Sequence, residues 1–169
     1  MSLKKISFDN LEIDIVESDE NVVYTFKGDI DENFRQQDVP RIEKNEIIFE
    51  LGEVLNFNSC GIREWIFLVR EIGSCGTLIF RNCSVTMIDQ INMVPDSLGV
   101  GIIESFFAPY YCDSHGEVNQ AIKMDEYLTE IQQKHAPDFK CDQCGEALEF
   151  DALEESYFLF ADTGMKSVG

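Results

Sequence analysis

The fold is decided by residues 46–72, which contain Glu46-Ile-Ile-Phe-Glu-Leu51, a polar connection, and Gly61-Ile-Arg-Glu-Trp-Ile-Phe-Leu-Val-Arg-Glu-Ile72. The first stretch is short and apolar, which indicates a central strand. The second stretch repeats its apolar residues at helical spacing, and Gly73 ends it. Its predicted apolar face consists of Ile62, Trp65, Ile66, Val69 and Ile72. A strand followed by an amphipathic helix predicts a unit in which the helix covers a sheet.

The segments on both sides extend this unit. Apolar residues alternate with polar ones before it, and shorter apolar runs alternate with a helical pattern after it. The predicted elements are an antiparallel strand pair over 11–15 and 22–26, strands at 77–80 and 102–107, and a helix from Ser84 to Met93. Strand–helix–strand order implies parallel strands. We therefore expect an α/β fold in which helices pack on a mixed sheet.

The composition changes near residue 110, where the apolar density falls and Cys, Gly and acidic residues increase. This change predicts a first domain over 1–108 and a C-terminal extension over 109–169. Residues 117–134 fit either a strand to about Lys123 followed by a helix, or one amphipathic helix. Residues 145–160 are predicted to fold back as an apolar segment, and the tail after Asp162 is expected to be loose.

Two short patterns in the extension share one arrangement of ligands. Cys112-Asp-Ser-His115 and Cys141-Asp-Gln-Cys144 each place two residues between two metal-binding side chains, and a glycine follows each. This spacing allows a tight turn that directs both side chains at one metal, and glycine adopts the backbone angles that such a turn needs. The sequence therefore predicts a Cys₃His zinc site formed by Cys112, His115, Cys141 and Cys144.

We expect this zinc to be structural, because four protein ligands leave no position for a water molecule. The alternative is a redox pair formed by Cys141 and Cys144. Redox pairs of this spacing usually sit at a helix N-terminus after a strand, whereas this one follows Pro137-Asp-Phe-Lys140. The other histidine, His135, has no second ligand at metal spacing and is predicted to be a loop residue.

The charge and the cysteine content limit the partners and the compartment. A formal charge of −19 disfavours nucleic acid and anionic membranes, which both require Lys and Arg. The acidity either keeps the protein in solution or steers a basic protein partner towards it. The sequence has no run of eighteen apolar residues and no signal-like apolar segment at its start. Its six cysteines then favour a reducing compartment, so we predict a cytoplasmic protein without a disulfide framework.

Two further motifs carry a family resemblance. Gly28-Asp-Ile-Asp31 closes the second predicted strand, and Val54-Leu-Asn-Phe-Asn-Ser-Cys-Gly-Ile62 joins the central strand to the helix. They resemble the motifs of STAS domains in bacterial anti-sigma-factor antagonists, which read Gly, any residue, an aliphatic and Asp, and then Asp-Ser-Ser/Thr-Gly-Leu. The resemblance covers about residues 10–110 and agrees with the predicted element order. It is supported by bacterial relatives that fuse such a domain to paired cysteine knuckles.

The resemblance implies a docking face formed by Asp31, Asn58 and Ser59. In that family the serine after the motif Asp is modified by a partner kinase that also serves as the anti-sigma factor, and this position is Ser59 here. Asn58 replaces the usual Asp and Cys60 replaces the second Ser/Thr. The alternative is that Asn58 or Ser59 only caps the helix. Cys60 is expected to be a buried structural cysteine, with a reactive thiol as its alternative.

These features predict a regulatory protein-binding module and not an enzyme. The expected partner is a kinase-like anti-sigma factor or a sensor protein, and a homodimer is a possible assembly. The two histidines, the lack of a convincing carboxylate pair and the lack of a phosphate-binding glycine loop argue against catalysis. Two alternatives stay open: a small-ligand sensor that holds a nucleotide or lipid, and a thiol oxidoreductase that uses Cys141 and Cys144.

Overall fold

The first sheet contains six strands in the order β1-β2-β3-β4-β5-β6 in a computed structural model that describes residues 1–163. The strands are β1 Ser2–Ser7, β2 Leu11–Glu17, β3 Asn21–Ile30, β4 Glu46–Phe57, β5 Thr77–Arg81 and β6 Ile102–Ile103. The first three are antiparallel, and β3 to β6 are parallel to one another. The fold is therefore α/β with a mixed sheet, as the sequence predicts.

Two helices cover one face of this sheet. They are α1, Ser59–Gly73, and α2, Val85–Met93, whose N-cap Ser84 accepts a hydrogen bond from the Met87 N–H. Trp65 lies at the centre of the layer, fully buried against the rings of Phe26 and Phe49. Its indole N–H donates to the Ser97 carbonyl at 2.8 Å, so its one polar atom is satisfied.

The other face of the sheet carries ion pairs across β1, β2 and β3. Cross-strand ion pairs join Lys27 to Asp14 at 2.9 Å and Lys5 to Glu12 at 2.8 Å. Their registers place them on the side opposite to the helices, because successive residues of a strand point to opposite faces. Exposed pairs of this kind contribute about 0.2–1 kcal/mol each, so they add little to the free energy of unfolding.

The second sheet is antiparallel and has three strands in the order β8-β7-β9. They are β7 Ser105–Cys112, β8 Gly116–Lys123 and β9 Glu149–Phe150. Three short helices accompany this sheet: α3 Leu128–Gln132, α4 Glu154–Tyr157 and α5 Phe160–Thr163. The strand-then-helix alternative for residues 117–134 is thus the one the structure adopts.

The two sheets meet through the start of β7. Cys83, just after β5, forms a parallel bridge with Phe106, and the Phe107 N–H donates to the Cys83 carbonyl at 2.8 Å. Phe106 also packs on Phe158 and Phe160, with ring centroids 6.3 and 5.0 Å away. This contact confirms that residues 145–160 fold back as an apolar segment. Residues of both sheets contribute to one buried core.

Several predicted boundaries change in the structure. The central strand does not end at Leu51 but continues to Phe57, and the predicted strand at 102–107 divides between β6 and β7. Strand β1 has no counterpart among the predicted elements. On α1, Ile62 and Ile66 are only partly buried, and Leu68 joins the buried face instead. The predicted division at residue 108 falls inside β7, and it stays a prediction.

The predicted loose tail after Asp162 falls almost entirely outside the described residues, of which Thr163 is the last. None of the helices within residues 1–163 combines the length and the apolar character that a membrane-spanning helix needs.

Candidate functional site

Two tight turns bring the four predicted metal ligands together. The first turn joins β7 to β8, with Cys112 opposite Gly116. The second lies between Lys140 and Ala147, which form an antiparallel bridge. Gly116 and Gly145 have φ angles of +81° and +76°, a left-handed conformation that favours glycine. The local reason for each turn is therefore the glycine that follows its second ligand.

The four ligand atoms have the separations of a tetrahedral site. The Sγ of Cys112 lies 3.6 Å from the Sγ of Cys144 and 3.6 Å from Nδ1 of His115, and that nitrogen lies 3.6 Å from the Sγ of Cys141. All four atoms lie within 4.8 Å of one another. Bonds of about 2.3 Å to sulfur and 2.0–2.1 Å to nitrogen place tetrahedral ligands about 3.5–3.8 Å apart. The cluster can therefore hold a metal ion.

The surroundings of the cluster act in opposite directions on two of its cysteines. Cys112 and Cys141 are buried, whereas His115 and Cys144 are exposed. The backbone N–H groups of Gln143 and then of Cys144 lower the pKa of Cys141 to about 7, which increases its thiolate fraction near neutral pH. A backbone hydrogen bond from Glu146 lowers the pKa of Cys144, but burial and the neighbouring thiols of Cys112 and Cys141 outweigh it and raise that pKa to about 11. Outside the ligand set, the Ser114 hydroxyl donates to Glu146 at 3.0 Å, and this bond joins the two turns.

The redox alternative lacks the helix that usually activates such a pair. Cys141 and Cys144 lie in the turn between Lys140 and Ala147 and not at a helix N-terminus. Both sulfurs face His115 or Cys112, so they are half of a larger ligand set. Closed sets of thiolate and imidazole ligands are typical of structural metal sites.

The second group of predicted residues lies where α1 begins. The Oδ1 atom of Asn58 accepts a hydrogen bond from the Gly61 N–H at 2.9 Å, and its amide donates to Glu32. Asn58 is therefore the N-cap of α1. Ser59 is exposed, and its hydroxyl makes no hydrogen bond to any residue within 1–163. The capping alternative thus holds for Asn58, and it leaves the Ser59 hydroxyl uncommitted.

Asp31 lies beside the start of α1 because Gly61 packs closely on the backbone of Ile30, the residue before Asp31. The Asn58 N–H donates to the Ile30 carbonyl at 3.3 Å. The structure thus brings Asp31, Asn58 and Ser59 together at one end of the sheet. Cys60 is exposed, so the prediction that it is a buried structural cysteine is wrong. His135 is exposed and stands 3.6 Å from Glu154, as expected of a loop residue.

The Asp31 carboxylate is held by neighbouring donors. The Asn10 amide donates to it at 2.7 Å and the Asn33 N–H at 2.9 Å. These bonds, that of Asn10 above all, lower the pKa of Asp31 below its ordinary value of 3.8. A lowered pKa in the folded state means that the carboxylate stabilises the fold above about pH 4 and loses this effect as the pH falls through the folded-state pKa.

We therefore expect Asp31→Asn to lower the free energy of unfolding at pH 7 and to have progressively less effect below pH 4. Urea unfolding of both proteins between pH 7 and pH 3 measures this difference. Asp19→Asn removes the same charge from an exposed turn and serves as the control. A penalty for Asp31→Asn that is equal at pH 3 and pH 7 would contradict the assignment.

One feature of the surface has no signal in the sequence. A cleft of about 1200 Å³ opens between the two sheets, with Ile79 and Ile102 on one side and residues 120–128 on the other. Its walls come from separate segments of the chain, chiefly residues 77–82, 102–105 and 120–128. No contiguous motif predicts such a cleft. It forms only because the chain passes from the first sheet to the second at Glu104 and Ser105.

The family resemblance rests on two motifs and on the element order. The glycine of the second motif, Gly61, makes a close approach to Ile30, and the serine after Asn58 is exposed. Comparison of the chain with protein-family models, curated proteins and solved structures finds no match.

Proposed function

We propose that this chain is a regulatory protein-binding module of the STAS type, in which a structural zinc ion holds the C-terminal sheet. The observation that carries the proposal is the division of roles at the start of α1. Asn58 caps the helix, whereas Ser59 is exposed with a hydroxyl that makes no hydrogen bond within residues 1–163. A hydroxyl that is neither buried nor bonded is accessible to a kinase.

A phosphate on Ser59 would change the docking surface and leave the core intact. The N-terminus of a helix of this length attracts anions through its dipole and free N–H groups. Asp31 and Glu32, close by, would oppose the added negative charge. The modification therefore alters local charge without moving Trp65 or the sheet. This response suits a switch that controls the binding of a partner.

The partner that best fits this surface is a protein with a basic face, such as a kinase-like anti-sigma factor or a sensor protein. The chain carries 32 acidic residues against 13 basic ones. Asp29, Asp31 and Glu32 place carboxylates at the end of β3, where Asn56 and Asn58 bond to Asp29 and Glu32 just before α1 begins. An acidic face of this kind steers basic partners and repels nucleic acid.

Zinc is the metal that the ligand set fits best. Three thiolates and one imidazole are soft and intermediate ligands, which select zinc over magnesium and calcium. Four protein ligands would complete a tetrahedral set and leave no position for a water molecule. Zinc in this set would link β7 to the turn at residues 140–147 and so would stabilise the second sheet.

The switch is tested with Ser59→Asp, which imitates the added charge. We expect the variant to lose at least about tenfold in affinity for a partner captured from the source cells by the wild-type chain. Quantitative mass spectrometry of the captured proteins measures the loss, and phosphopeptide mapping tests whether Ser59 is modified. Because Ser59 is exposed, the thermal stability of the Ser59→Asp variant should stay close to that of the wild type.

Ser156→Asp is the matched control, because Ser156 is also an exposed serine near the start of a helix. It should retain the partner. Identical sets of captured proteins for the wild type and Ser59→Asp, together with an unmodified Ser59, would show that this residue is not a switch.

A further inference from the structure

Strand β8 has one edge without a partner. It pairs with β7 through eight consecutive residue pairs, from Ser105 opposite Lys123 to Cys112 opposite Gly116, without a register shift. On its other side, no strand within residues 1–163 pairs with it. Such an edge presents a regular row of free N–H and C=O groups that can pair with another strand.

Among the strands of residues 1–163, the other edge strands are protected and β8 is not. Strand β1 carries Lys4 and Lys5, and β6 and β9 have only two residues each. Short length and lysine both discourage pairing between molecules. Strand β8 reads Gly116-Glu-Val-Asn-Gln-Ala-Ile-Lys123 and has neither proline nor bulge. Its sole lysine is at the last position.

Space for an added strand lies beside this edge. Gln120, Ala121, Ile122 and Lys123 all line the cleft of about 1200 Å³. Consecutive residues of a strand point to opposite faces, so a cleft that meets all four is open along the strand's edge as well as beside its faces.

The sequence of β8 is complementary to itself in the antiparallel direction. With two copies of Gln120 opposite each other, Glu117 lies opposite Lys123 of the second copy, and Val118 lies opposite Ile122 of the second copy. Each pair occurs twice, because the arrangement has twofold symmetry. Opposite charges that face each other across strands stabilise antiparallel sheets. Ile122 is already fully buried in its own chain, so the two pairs of Glu117 and Lys123 carry the register.

We infer that β8 pairs with β8 of a second copy of this chain, antiparallel and centred on Gln120, so that two three-stranded sheets join into one of six strands. The two copies repel each other through their net charge of −19 each. At 0.15 M salt the Debye length is about 8 Å, which screens most of this repulsion and leaves contacts at the edge in effect. The assembly does not depend on the role proposed for Ser59.

Charge reversal across the interface tests the register. Sedimentation velocity of the full chain over a concentration series at 0.15 M NaCl should show a reversible dimer. Glu117→Lys should weaken it roughly tenfold or more, because two attractive pairs become repulsive. Lys123→Glu should have a similar effect. The doubly reversed chain, Glu117→Lys with Lys123→Glu, should recover affinity to within about threefold of the wild type.

Glu149→Lys is the matched control, since it makes the same charge change on β9 of the same sheet. It should leave the dimer unchanged, and circular dichroism should show that all variants are folded. A chain that is monomeric at all concentrations overturns the inference and leaves this edge to a different protein. The inference is also overturned if the single charge reversals leave the dimer affinity unchanged, or if the double reversal does not restore it.

Discussion

Cys112→Ser is expected to abolish stoichiometric zinc binding. Cys112 is fully buried, and its Sγ lies 3.6 Å from ligand atoms in both turns. Structural zinc sites contribute on the order of 10–16 kcal/mol of binding free energy that is coupled to folding. Loss of one of three thiolates should therefore reduce zinc affinity at least about a hundredfold and loosen the second sheet. Elemental analysis after dialysis against a weak chelator measures the metal content.

Cys60→Ser is the control, because Cys60 is an exposed cysteine outside the cluster. It should keep a single zinc ion per chain. Thiol titration of the wild type adds a second measurement: with zinc bound, Cys141 and Cys144 should be unreactive, which would also end the thiol oxidoreductase alternative. A wild-type chain without zinc, or a Cys112→Ser chain with undiminished zinc, would refute the site.

Gly61→Ala is expected to destabilise the fold by about 3 kcal/mol or more. A Cβ at this position would stand 1.8 Å from the Ile30 carbonyl oxygen and 2.7 Å from the Asp31 nitrogen. Both are backbone atoms at the end of β3, so neither can rotate away as a side chain would. The start of α1 would have to move, and the docking face would move with it. Chemical unfolding of the variant measures the cost.

Gly73→Ala provides the comparison within the same helix. A Cβ there would meet the end of the Val100 side chain at 2.6 Å, and that side chain can adjust. Alanine also favours helix over glycine by about 1 kcal/mol. The Gly73 variant should therefore lie within about 1 kcal/mol of the wild type. Equal penalties for the two substitutions would contradict the role of Gly61 as the close contact between α1 and β3.

The parts of the fold that were predictable are those with a clear period. Alternation predicted β2 and β3, helical spacing predicted α1, and a helix was predicted from Ser84 to Met93. Strand β1 was missed because its residues, Ser-Leu-Lys-Lys-Ile-Ser, are mostly polar and it becomes a strand only by pairing with β2. The tertiary contact, and not its local sequence, makes it a strand.

The metal cluster was predictable because its ligands occur in pairs that are close together in the sequence. Two residues between ligands and a following glycine require a particular turn, whatever the rest of the chain does. The burial of Cys60 was predicted wrongly, because a cysteine in a motif gives no information about the exposure of a helix start. The cleft between the sheets could not be predicted, since it depends on the angle between elements that no local pattern encodes.

Strand β7 has a consequence for how this chain can be divided. Its second residue, Phe106, pairs with Cys83 just after β5, and its last residue is the ligand Cys112. A cut at residue 108 would leave Phe106 on one fragment and its neighbours Ile122 and Phe158 on the other. Recombination that exchanged only one of the two sheets would have to supply a replacement strand. The two parts are therefore expected to be inherited as a unit.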